Sequence, residues 1–85
     1  MRTDLDVREL PPPEPLELVL AEIQSLAPGD WVCLRHRQQP YPLYNLLESG
    51  GLAWRVHCIG PRDFQIDIWR LGDTAAEQEV ERYQL

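Results

Sequence analysis

Leu5-Asp6-Val7-Arg8-Glu9-Leu10-Pro11-Pro12-Pro13-Glu14-Pro15-Leu16, followed by an aliphatic run to Leu26 and then Pro28-Gly29-Asp30, is the stretch on which the fold turns. Leu5 and Val7 alternate with Asp4, Asp6 and Arg8, which predicts a half-buried strand ending at Leu10. The prolines that follow are incompatible with a helix interior, but Pro15 suits the first helical position, and Glu14 and Glu17 suit the positive end of a helix dipole. Leu16, Val19, Leu20, Ile23 and Leu26 then fall on one helical stripe, opposite Glu17, Glu22 and Gln24, until Pro28-Gly29-Asp30 stops the helix.

Working outward, Trp31 to Arg37 alternates again, with Val32 and Leu34 on one face and Trp31, Cys33 and Arg35 on the other. After Gln38-Gln39-Pro40-Tyr41-Pro42, a short helix is expected to carry Leu43, Leu46 and Leu47 inward and to end at Gly50-Gly51, where a left-handed cap fits. Leu52 to Ile59 predicts a third strand, with Trp54, Val56 and Cys58 facing the core and Arg55 and His57 facing away. Gly60-Pro61-Arg62-Asp63 turns the chain into a fourth strand in which Phe64, Ile66 and Ile68 alternate with Gln65, Asp67 and Trp69. The order β-α-β-α-β-β implies an α+β two-layer sandwich, with two helices packed on one face of a four-stranded mixed sheet. Residues 1–70 make this domain, and 71–85 form an acidic tail. Thr74 and Glu77 have capping-box spacing and Ala76, Val80 and Tyr83 share a helical face, so the tail reads equally as a short helix or a frayed end.

Composition narrows the function. An 85-residue chain makes one thin-cored domain. Its net charge of −6 argues against nucleic-acid binding, which depends on neutralising phosphates. The charge is uneven, since the middle of the chain carries Arg35, Arg37, Arg55, Arg62 and Arg70 against Glu48, Asp63 and Asp67. All eight cations are Arg, which excludes Schiff-base chemistry and a P-loop lysine. No apolar run among the first ten residues has secretory character, and no stretch is long enough to cross a bilayer, so a cytoplasmic protein away from membranes is expected. Two cysteines without C-x-x-C spacing are then expected to be free thiols.

The segment Leu5 to Leu16 resembles the start of TusA and SirA proteins, which read L-D-x-x-G-L-x-C-P-x-P before an aliphatic residue; Leu5, Asp6, Leu10, Pro13 and Pro15 match in register. The resemblance runs through residues 4 to 70. With Leu34-Arg35-His36-Arg37 and Pro40-Tyr41-Pro42-Leu43-Tyr44, the chain is more similar still to an uncharacterised bacterial domain family, of unknown function, allied to TusA. In the sulfur-carrying relatives a cysteine sits just before the helix; here that position is Pro12, and Glu9 stands where they have glycine. Proline has neither a nucleophile nor an N–H, so the resemblance carries the fold without the sulfur relay.

The remaining candidates have competing readings. Cys33, between Trp31 and Arg35, is a possible reactive thiol if neighbouring cations lower its pKa, though a small apolar strand residue is the commoner meaning. His36 and His57 lack metal-ligand spacing, no nucleophile elbow surrounds Ser25 or Ser49, and no glycine-rich loop exists for phosphates, so no metal, cofactor or catalytic residue is assigned. Trp31, Trp69, Arg35, Arg55 and His57 gather on the sheet face away from the two helices, the composition of an interface centre. Alternatively, the tail helix folds back over that face, with its acids meeting the arginines. Arg35-His36-Arg37 is a further place for an acidic group, though a solvated strand end is the commoner meaning of such a triplet. These features lead to a non-enzymatic binding or accessory module holding a protein partner or small anionic ligand. The alternative is a thiol- or sulfur-handling protein that uses Cys33.

Overall fold

In the computed structural model, which describes residues 1–83, the expected order is present with a third helix after it. The elements are β1 (Arg2–Asp6), α1 (Glu14–Gln24), β2 (Trp31–His36), α2 (Tyr41–Ser49), β3 (Leu52–Gly60), β4 (Asp63–Arg70) and α3 (Thr74–Arg82). The sheet order is β1-β2-β4-β3. The α1 crossover makes β1 and β2 parallel neighbours, while β4 pairs antiparallel with both β2 and β3. The fold is therefore α+β with a mixed four-stranded sheet.

Alternation decides which residues meet the helices. Val32, Leu34, Ile66 and Ile68 are wholly buried against Val19 and Ile23 of α1 and Leu43 and Leu47 of α2. Each such side chain contributes about 1.5–3 kcal/mol through removal from water. Leu46, expected inward, is 45 % exposed, because the buried stripe of this short helix is carried by the i, i+4 pair Leu43 and Leu47. Gly51 takes the left-handed conformation (φ 74°) just after α2, as the glycine pair predicted. At the far end of α1, which has no basic residue in its last turn, Arg70 Nη2 donates to the Leu26 and Ile23 carbonyls at 3.2 and 3.4 Å.

Two further details of the strands differ from expectation. The first strand stops at Asp6 rather than Leu10, because Asp6 captures Arg8: Oδ1 accepts the Arg8 backbone N–H at 3.1 Å and Oδ2 accepts from Nη2 at 2.8 Å. Cys58, expected in the core, is exposed, near the end of the edge strand β3 and beside an irregularity between Cys58 and Gly60.

The second sheet face is covered at one end. Ala76 and Val80 of α3 pack on Trp31, Cys33 and Trp69. Tyr83, at the end of α3, lies 5.8 Å from the Trp31 ring, with the Arg2 guanidinium over it. Of the two readings of the tail, the helix is the one observed, with residues 84 and 85 outside the described range. Its cap is Asp73 rather than Thr74. Asp73 Oδ1 accepts the Ala76 N–H at 3.1 Å, and Oδ2 accepts the Gly29 N–H at 2.8 Å, so one carboxylate both starts α3 and ties it to the turn before β2. Those two backbone donors hold its pKa below the usual range.

Candidate functional site

The residues singled out from the sequence separate into three places. Trp31 (0 % exposed), Cys33 and Trp69 lie beneath α3. Burial, reinforced by the nearby Asp67 carboxylate, pushes the Cys33 thiol up to about 12, the opposite of an activated thiolate.

Arg35, Arg55 and His57 occupy the uncovered half of the same face. Arg35 is held in a two-pronged ion pair by Asp63, to which Arg8 also donates. Hydrogen bonding from Arg35 lowers the Asp63 pKa, and the Arg8 guanidinium brings Asp6 down to about 2. The arginine is thus met by the sheet's own acid and not by the acids of α3, which covers the opposite end of β2. His57 Nε2 lies 3.1 Å from an oxygen of the buried Asp67, whose other oxygen accepts from Gln65. Arg55 makes no ion pair among the described residues. A depression of about 310 Å3 opens here between β1 and β2, but Asp4 and Asp6 share its wall with Arg2 and Arg35. Its charges are largely matched.

His36 and Arg37 lie on the other side of the sheet, where a cleft of about 240 Å3 opens between the proline loop and the β2–α2 connection. Leu10, Leu16, Val19 and Leu43 form its apolar floor. Pro12, Pro13 and Pro15 from the start of α1 face Pro40 and Pro42 from the start of α2. Its polar groups are His36, Arg37, Gln38 and Gln39. Both helices begin after a proline that supplies no side-chain cap; α1 has Glu14 and Glu17 in its first turn, whereas α2 has no acid there. The positive end of α2 and the Arg37 guanidinium, which has no ion-pair partner among the described residues, therefore give the cleft a net positive character.

His36 is 7 % exposed, and its Nδ1 accepts the Gln38 backbone N–H at 3.2 Å. Burial first, and the Arg37 charge second, lower its pKa, so the ring is neutral at pH 7. Sequence reasoning found His36 and Arg37 but placed them only at a strand end. It missed that Leu10 and Leu16 stay only partly buried and leave an opening above Val19 and Leu43 at the mouth of the two helices. The two proline clusters were the available signal, since each marks a helix start on the same side of a parallel strand pair.

Among the described residues no group of three or more His, Cys, Asp or Glu is placed to hold a metal ion, and no described helix is long and apolar enough to cross a membrane. No curated protein and no solved structure matches the chain. A family model does match, over residues 4–70, which runs from within β1 through both core helices and the rest of the sheet and ends before α3. The chain accordingly belongs to the family described as "Uncharacterized conserved protein (DUF2249)".

Proposed function

We propose that this chain is a non-enzymatic binding module with a TusA-like fold that holds a small anionic ligand in the cleft at the mouths of α1 and α2. The observation that carries the reading is the cleft itself: an apolar floor, a buried neutral histidine, an arginine with no ion-pair partner among the described residues and an acid-free helix N-terminus in one place. Its volume of about 240 Å3 lies below the roughly 300–1,000 Å3 of sites for drug-sized ligands, so the occupant is small. The TusA-like reading rests on Leu5, Asp6, Leu10, Pro13 and Pro15. Pro12, where the sulfur-carrying proteins have cysteine, lies in the cleft wall and offers no nucleophile. The other reading of the molecule, a partner bound through Trp31 and Trp69, is less favoured because α3 already occupies that surface. The test is a panel of small anions followed by amide NMR and thermal melting. Saturable shifts at Leu16, Gln38 and Leu43 are expected, and should be lost in Leu10→Trp, which fills the cleft. Anion binding that leaves these resonances still, or that survives Leu10→Trp, would sink the proposal.

A further inference from the structure

The inner wall of the cleft carries one unused hydrogen-bond donor, and what it selects rests on the reading of the cleft just given. His36 follows Val32 and Leu34 on the helix-facing side of β2, and its ring lines the cleft. Because Nδ1 accepts the Gln38 N–H, the proton of the neutral ring sits on Nε2. Nε2 makes no hydrogen bond among the described residues, and the one side-chain nitrogen or oxygen there that is both sealed and unpartnered is Trp31 Nε1. His36 Nε2–H therefore faces open space, and the open space beside this ring is the cleft.

The surrounding donors are few. Prolines at 12, 13, 15, 40 and 42 have no N–H, and the N–H groups of Glu14, Tyr41 and Leu43 are taken by the carbonyls of Pro11, Gln39 and Pro40. Besides Arg37, what remains in the lining at the two helix starts is the single backbone N–H of Leu16, with the side-chain amides of Gln38 and Gln39, so the set of adjacent backbone N–H groups that normally meets a tetrahedral phosphate or sulfate at a helix start is missing here. A carboxylate needs less: one ring N–H and one guanidinium neutralise and orient it, while an aliphatic tail removes the partly buried Leu10 and Leu16 from water.

We propose that the ligand class is a short-chain monocarboxylate, bound with an oxygen accepting the His36 Nε2–H, its charge offset by Arg37 and its tail on the leucine and valine floor. The experiment titrates the protein with sodium hexanoate, 1-hexanol and sodium phosphate at constant ionic strength, reading cleft amides and the His36 15Nε2 signal. Hexanoate is expected to bind saturably and move 15Nε2, hexanol to bind at least about tenfold more weakly, a difference of about 1.4 kcal/mol, and phosphate not to saturate. His36→Phe, which keeps the buried ring and removes the donor, should lose the preference for hexanoate over hexanol yet still bind hexanol, which also reports that the cleft has folded. Arg37→Gln changes an exposed residue and should weaken hexanoate alone. Equal binding of hexanoate and hexanol overturns the carboxylate assignment and leaves an apolar cleft. Saturable phosphate binding without hexanoate binding overturns it and leaves the anion reading intact. Absence of any cleft shift with hexanoate also overturns it.

Discussion

Truncating Val80 to alanine asks whether α3 belongs to the same cooperative structure as the matched domain. Val80 is wholly buried where α3 meets Trp31 and Trp69. Val80→Ala removes two carbon groups; at about 0.8 kcal/mol per buried CH2 the transfer contribution is about 1.6 kcal/mol. Incomplete collapse of the space between helix and sheet brings the total to about 2 kcal/mol. With a urea dependence of about 1 kcal/mol per molar for a chain of this size, the midpoint should fall by about 2 M. Val19→Ala supplies the internal standard, because Val19 is as thoroughly buried, in the core beneath α1. Urea unfolding followed in parallel by tryptophan fluorescence and far-UV circular dichroism measures both. Equal midpoint losses with unchanged slopes are expected. If Val80→Ala shifts the midpoint by less than about 0.3 M while Val19→Ala falls as calculated, the docked helix does not share in global stability and the argument from its burial is refuted.

The other predictions concern groups with shifted ionisation. Cys33, pushed up to about 12 by burial, should resist iodoacetamide in the native protein at pH 8 while the exposed Cys58 is alkylated; peptide mass spectrometry showing Cys33 modified first would reverse this. Its folded pKa lies above the unfolded value of about 8.5, so the associated stability is complete below that pH and is lost as pH rises from there toward 12; Cys33→Ala should flatten that alkaline decline. At the acid end, Asp63 and Asp6 are held below the usual carboxylate range by Arg35 and Arg8, so their stabilisation is present above about pH 4 and lost as pH falls through their folded values. Arg35→Met should make the urea midpoint less dependent on pH between about 4 and 2, and an unchanged slope would show that the Arg35–Asp63 pair does not set it.

Much of the fold was legible because period-2 and period-3.6 patterns were undiluted. Val32 and Leu34, Ile66 and Ile68, and Val19 and Ile23 are buried as the alternation and the helical stripe require. What failed was local competition and edge position. Asp6 draws Arg8 into a turn and ends β1 early, and β3 is an edge strand, so Cys58 near its end lacks the cover that alternation alone implied. The candidate site was only half legible. Chemistry-bearing residues stand out in a sequence, whereas a cleft is a failure of apolar residues to close, and Leu10 or Leu43 reads the same lining a cavity as filling a core. Thr74 reads as the cap in place of its neighbour Asp73 because its spacing to Glu77 fits a capping box, and the tie that Asp73 adds, to Gly29 across a sequence separation of 44 residues, has no local signal.

The position of the cleft follows from topology more than from any one residue. β1 and β2 are parallel and each is followed by a helix, so the loops leaving their carboxyl ends, and the amino ends of α1 and α2, come to the same edge of the sheet. Open sheets with parallel strands place ligands at such an edge because two positive helix ends converge there and loops can vary without disturbing the core. The opposite edge of this molecule is occupied by Arg70 on the α1 carbonyls and by the Asp73 tie, both of which close structure rather than open it. In a thiol-based protein the edge at α1 would present a nucleophile to free N–H groups. Here Pro12, Pro13 and Pro15 stand at that edge, which makes it an apolar slot with His36 and Arg37 at its polar side.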